Sequence, residues 1–278
     1  MAKKDLLKRT VSGILFLVVL IAATVFIPVL FPYVVLVALY MMLKEFYTIS
    51  TGDALMPQKA LAIGSAALFF ALHYLVRLYG LDSRLLAVPA LPAVGLMASM
   101  LFVKDRSKLD SLPWIFEGLL YVGLPVFLLP LLCIHDGAYN WHFLISLLVI
   151  MCLSDTGAYV FGTAFGQKSN SRKLAPSISP KKSWWGFWSG LVCATGAGIA
   201  LHYIGWLEFP LVHCAVLSAL LSAAGVCGDL FESLFKRHFS VKDSGNSIPG
   251  HGGFLDRFDS SLFAIPVAAA YISIFNLL

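Results

Sequence analysis

The sequence predicts an all-α, polytopic membrane protein of about nine transmembrane helices. Three observations carry that prediction. Of the 278 residues, 59% are apolar. Only 13% are charged, roughly half the share of a soluble globular domain. The apolar residues also gather in runs close to the ~20 residues that one helix needs to cross a bilayer. A soluble fold of this length has no way to bury so much apolar surface.

In chain order the runs are 11–31, 33–49, 59–79, 85–103, 112–134, 141–163, 185–205, 209–235 and 253–277. Only Pro32 separates the first two, with Pro28 one turn earlier, so they read as a tight hairpin or as one crossing plus a re-entrant piece. The basic start, Lys3, Lys4, Lys8 and Arg9, leads into an apolar run with no small-residue cleavage site. It reads as a retained first helix, not a signal peptide. The chain divides into N-terminal transmembrane helices, 1–110, and a C-terminal catalytic region, 111–278, with cytosolic loops at 164–184 and 236–253. No internal repeat or soluble domain is evident.

Charge supplies the orientation. With the N-terminus in the cytosol and nine crossings, all of the 20 Lys and Arg except Arg77 and Arg84 fall on the cytosolic side. Cytoplasmic loops are rich in Lys and Arg, so the count fixes the parity of the crossings. The same rule accounts for the net charge of +5 without nucleic acid. Cys133, Cys152, Cys193, Cys214 and Cys227 lie in or beside apolar runs with no CxxC pair, and read as small hydrophobes.

The carboxylates point to chemistry, because acids in membrane helices face a polar cavity or a partner. The eighth run ends Gly228-Asp229-Leu230-Phe231-Glu232-Ser233-Leu234-Phe235-Lys236-Arg237, and three- and four-apart spacing puts Asp229, Glu232, Ser233 and Lys236 on one face. The ninth begins with Asp256-Arg257-Phe258-Asp259-Ser260, where Asp256, Asp259 and Ser260 share a face. Carboxylates from two helices, flanked by Lys and Arg, suit a divalent cation with a phosphate-bearing substrate. Internal ion pairing is the competing reading. It suits Glu232, with Lys236 one turn on, but not Asp229, whose four-apart neighbours Gly225 and Ser233 carry no positive charge. Asp155, in an apolar stretch of the sixth run, again implies a polar cavity.

Two loops complete the set. Lys242-Asp243-Ser244-Gly245-Asn246-Ser247-Ile248-Pro249-Gly250-His251-Gly252-Gly253 has the glycines that let backbone N–H groups approach a phosphate, although such loops also simply turn corners. His251 is an acid–base or ligand candidate, and a lone loop histidine is more often neither. Ser179-Pro180-Lys181-Lys182-Ser183 before a helix suits an anion site, with the lysines as point charges. Trp184, Trp185 and Trp188 read as an interfacial belt. Glu117 reads as an internal packing residue, and the remaining histidines have no metal-ligand spacing.

The stretch Ser233–Asp259 resembles the signature of the phosphatidate cytidylyltransferase (CDP-diglyceride synthetase) family at Ser233, Lys236, Arg237, Lys242, Asp243, Pro249, His251, Gly252, Gly253, Asp256, Arg257 and Asp259. Asp155–Gly186 is similar to a second family region. The resemblance covers roughly the last 125 residues, and the first 110 resemble the family only as hydrophobic helices. It implies a nucleotidyltransferase of the cell inner membrane that makes CDP-diacylglycerol and pyrophosphate from CTP and phosphatidate. It implies magnesium, with potassium as a further ion, and a homodimer. Asp229 and Asp256 become the metal-binding acids, with Asp259 and Asp155 as further ligands. Lys236, Arg237, Lys242 and Arg257 are assigned to catalysis beside them. Loops and resemblance together place substrate at Ser179, Lys181, Lys182, Ser233, Asp243, His251, Gly252 and Gly253. A transporter for an anionic substrate is the alternative from another class. The acids, however, cluster at one membrane face. A CDP-alcohol phosphotransferase would need a DGxxAR-type motif, which is missing.

Overall fold

Pro and Gly punctuate the chain where the apolar runs begin and end, and the helices follow that punctuation. A computed structural model describes residues 13–167, 171–248, 250 and 252–277. Helix α1 is Gly13–Phe26, followed by α2 (Phe31–Thr51), α3 (Met56–Tyr79), α4 (Ala90–Ser99), α5 (Leu112–Gly118), α6 (Leu124–Cys133), α7 (His142–Gly166), α8 (Trp184–Ile204), α9 (Leu211–His238) and α10 (Leu255–Phe275). Short helical turns extend α4 to Ser83–Phe102 and join α5 and α6 into Arg106–Cys133. Pro sits at the first turn of α2, α3, α5 and α6, where its missing N–H would be unpaired anyway. Gly80 and Gly205 close α3 and α8 in the left-handed conformation that glycine adopts without strain.

Among the described residues, eight helices are long and apolar enough to cross a membrane. They correspond to the last eight of the nine runs. Of the first run, the described part is the apolar helix α1, which ends in a π-helical turn at Ala22–Phe26 before Pro28. The chain is thus an all-α multi-pass membrane protein. Many Leu, Val, Ile and Phe side chains are exposed on these helices, as suits helices surrounded by lipid. Two short hairpins interrupt the helices, Ile134–His135 with Ala138–Tyr139 and Lys173–Ala175 with Ser179–Ser183.

The chain forms two compact units: residues up to Tyr139 with Val241–Arg257, and Asn140–Ser240 with Phe258–Leu278. In the first unit, α2 packs on α3 and α5, and α3 on α4 and α6. Leu39, Leu43, Phe46, Tyr47, Phe70 and Ile115 form its core. The Tyr47 hydroxyl donates to the Ile115 carbonyl at 2.9 Å. His73 Nδ1 and Arg77 Nη2 tie α3 to the Phe127 and Ile134 carbonyls at 2.7 and 2.8 Å.

In the second unit, α7 and α8 pack along their length, and α8 packs on α9. Small residues at the seam let the backbones meet, as membrane helices require when no hydrophobic force drives them together. A Cβ on Gly186 would stand 3.0 Å from the Ala158 carbonyl, and one on Gly190 3.0 Å from that of Ser154. A buried Ser154–Ser222 hydroxyl pair, 2.7 Å apart, links α7 to α9.

Candidate active site

The predicted site residues fall into two clusters, one in each unit. In the second unit the organising carboxylate is Asp229 on α9. Lys182, from the strand Ser179–Ser183, places Nζ 2.5 Å from its Oδ2. Ser233, one turn on, donates to its Oδ1 at 3.3 Å. Asp155 on α7 and Asp259 on α10 both lie within electrostatic reach of Asp229, and Lys182 also acts on Asp155. Gly228 brings α9 and α10 together beside these acids, since a Cβ there would overlap the Asp259 carbonyl.

Lysine is therefore the partner that a search along one helix face does not see. Spacing on α9 leaves Asp229 without a cation, and the fold supplies one from 47 positions upstream. The nearby pair predicted on α9 forms as expected: Lys236 Nζ donates to Glu232 Oε2 at 2.7 Å, with both side chains largely buried. Lys236, a candidate for phosphate, is thereby held by Glu232. Arg237 is exposed in the last turn of α9. The Lys181 carbonyl accepts from Gln167 Nε2 at 2.8 Å while its side chain is exposed, and Ser179 is half-buried.

The first unit holds the loop and the start of α10. Asp256 Oδ2 accepts from the Ser244 amide at 2.9 Å, the Ser244 hydroxyl at 3.0 Å and the Gly253 amide at 2.8 Å. Ile248 and Gly252 pair through the Ile248 N–H at 3.0 Å, with Gly252 at φ 80°. Lys242, Asp243 and Arg257 are exposed. His251 and Pro249 lie outside the described residues, as do Lys3, Lys4, Lys8, Arg9 and Lys168.

One residue of this cluster was not anticipated from the sequence. Glu45 on α2 is buried, and its carboxylate accepts from Ser244 Oγ at 3.1 Å, Ser247 Oγ at 2.5 Å, Phe254 N at 3.1 Å and Leu255 N at 2.9 Å. From the sequence, the Gly-rich loop reads either as a phosphate-approaching loop or as one that simply turns a corner. In the structure the amides of Ser244, Gly253, Phe254 and Leu255 donate to the protein's own carboxylates. The physical reason is that a helix N-terminus favours any anion, and Glu45 delivers one from α2. The rule that flags Asp155, an acid in an apolar helix, flags Glu45 equally.

Among the described residues, no three His, Cys, Asp or Glu side chains converge as a ready-made metal cage. That donor set still fits magnesium, which is bound through one or two carboxylates and completed by substrate phosphates and water. Asp155 and Asp259 each lie within electrostatic reach of Asp229, with Lys182 beside Asp229 and Asp155 and Lys236 acting on Asp259, and a divalent cation would relieve the repulsion among the acids.

Residues 7–275 match the Cytidylyltransferase family. The chain is 34% identical over 188 residues to the phosphatidate cytidylyltransferase of Bacillus subtilis (strain 168), covering 65% of each chain. It is 36% identical over 172 residues to that of Staphylococcus saprophyticus, covering 62% of this chain and 63% of the relative. With the protein of that name from Staphylococcus aureus (strain COL), identity reaches 44% over 126 residues, 45% of this chain and 47% of the relative. The chain thus spans less than two thirds of the length of these curated relatives. Because the family match runs through α1 to α10 and takes in both carboxylate clusters, the chain belongs to the cytidylyltransferase family.

Proposed function

We propose that the protein is a phosphatidate cytidylyltransferase, a membrane nucleotidyltransferase of phospholipid biosynthesis. The observation that carries this reading is the family match over residues 7–275, which includes every candidate site residue. The reaction joins CTP and phosphatidate into CDP-diacylglycerol and pyrophosphate. A phosphatidate oxygen forms a bond to the α-phosphorus of CTP, and the bond from that phosphorus to the bridging oxygen of the pyrophosphate breaks. A phosphate monoester has a second pKa of about 6, so the nucleophile is already ionised near neutral pH and needs no strong base.

The barrier is repulsion between anions, and the residues proposed for the site answer it. Asp229 and Asp256 would hold magnesium, with Asp259 and Asp155 as further ligands and potassium as a second ion. The metal would neutralise charge on the phosphate oxygens. Lys182, at Asp229, is positioned to meet a phosphate brought to that carboxylate. Lys181, Lys236, Arg237, Lys242 and Arg257 are the other cations proposed to contact substrate. Ser179, Ser233, Asp243, His251, Gly252 and Gly253 are proposed to shape the binding site. The lipid tails would enter from the bilayer between helices. The basic loops, and with them the N-terminus and the site, are proposed to face the cytosol at the inner membrane, where CTP is found. A homodimer is proposed on the family resemblance alone.

The test is turnover by detergent-purified protein given phosphatidate, magnesium and CTP labelled at the α-phosphorus. Label should enter a chloroform-soluble lipid only when all three are present. Folded protein that moves no label, across several phosphatidates and with added potassium, would overturn the reading.

A further inference from the structure

We propose that Glu45 is a positioning residue for Asp256, setting from α2 the geometry of the Ser244–Leu255 loop and of the carboxylate assigned to the metal. The inference rests on the metal-dependent reading of the site. Its ground is a chain of contacts within one compact unit. Glu45, beside Lys44 in the C-terminal half of α2, is 7% exposed. Its four donors come from residues 199 or more positions later in the chain. Two of those donors, the amides of Phe254 and Leu255, open α10, so Glu45 caps a helix from another helix.

Ser244 carries the effect to Asp256. Its hydroxyl lies 3.1 Å from Glu45 Oε2 and 3.0 Å from Asp256 Oδ2. Its amide reaches Asp256 Oδ2 at 2.9 Å, and the Asp256 amide in turn lies 3.3 Å from Ser244 Oγ. The loop backbone is shaped round the Glu45 carboxylate. A Cβ on Gly245 would stand 2.8 Å from Glu45 Oε1, and one on Gly253 would overlap both Glu45 Oε2 and Ser244 Oγ. A larger residue at either position would push the carboxylate away from its donors.

The chemistry of the pair suggests the variant. A carboxylate only accepts hydrogen bonds, which suits four donors, whereas glutamine turns one oxygen into an NH2 group that donates. Glu45→Gln keeps the size and sets donor against donor. Changing a group that orients a metal ligand loses about 10–100-fold in metal affinity or activity. Three readouts apply to the full-length protein in detergent: Mn2+ affinity from the spin-resonance signal of free Mn2+, hydrogen exchange across residues 241–256, and the magnesium midpoint of turnover.

Glu45→Gln should weaken Mn2+ binding by about 10–100-fold, raise the magnesium midpoint in proportion and speed exchange in the loop, with α8 unchanged. Glu45→Asp, which keeps the acceptors but shortens the reach, should recover part of the loss. Ser247→Ala removes one donor and should give a smaller shift in the same direction. Wild-type Mn2+ affinity in Glu45→Gln, or no Mn2+ binding by the wild type, would overturn the inference. If Glu45→Gln does not fold, Ser247→Ala decides, and unchanged affinity with unchanged loop exchange overturns it. Protein that binds Mn2+ in a Glu45-dependent way but transfers no nucleotide sinks the cytidylyltransferase reading and leaves the positioning role standing.

Discussion

At the scale of single residues, the pair to examine is Lys182 with Asp229, 2.5 Å apart. If Asp229 holds metal, Asp229→Asn should lose more than the roughly 100-fold that marks the upper range for groups merely orienting a ligand. Folding, judged by the melting temperature in detergent, should survive. Lys182→Met should leave the metal midpoint close to wild type and raise the KM for CTP, because its charge is assigned to substrate phosphate. A fall in kcat for Lys182→Met with KM unchanged would move Lys182 from binding to a role felt only in the transition state. Neither this pair nor the Glu45 cluster could be found by helical spacing. Spacing shows neighbours three and four apart, and so it found Lys236 beside Glu232. Asp229 and Glu45 take their partners from other elements, and only the folded chain brings those together.

At the scale of elements, the α7–α8 seam separates two kinds of glycine on one helix. Gly190 faces the Ser154 carbonyl at close range, whereas a Cβ on Gly196 would meet nothing within 4 Å. Gly190→Ala should lower the melting temperature, by an amount equivalent to about 1–3 kcal/mol of overpacking. Gly196→Ala should leave it unchanged or raise it, since alanine gains up to about 1 kcal/mol in a helix interior. Equal effects at the two positions would mean that α7 and α8 do not pack closely at Gly190. The helices themselves were legible because a bilayer-spanning run is long and uniform, and eight of the runs lie within a few residues of the helices. The first was over-extended because its hydrophobicity continues through Val29 while the backbone leaves the helix at Ile27. The part Glu45 plays at the loop was not legible, since the glycines at 245 and 253 make room for a carboxylate that comes from a distant helix.

At the scale of the whole molecule, the distribution of Lys and Arg predicts which faces meet the cytosol. In chain order Glu208 precedes α9 and Asn246 follows it, and both are exposed. In a background without the five cysteines, a membrane-impermeant maleimide should label Asn246→Cys in inside-out vesicles and Glu208→Cys in right-side-out ones. The reverse pattern would place the site away from cytosolic CTP.

The bonds between Glu45 and the far end of the chain also bear on how the protein is made. Chains grow at roughly 5–20 residues per second. The nearest donor lies 199 residues after Glu45, so about 10–40 s of synthesis separate the acid from its first donor. Until then the Glu45 carboxylate lacks the four donors that it has in the folded protein. A later stretch, Ser244–Leu255, thus supplies the donors that an early helix needs, and the bonds of Glu45 can all be made only after Leu255 has been added.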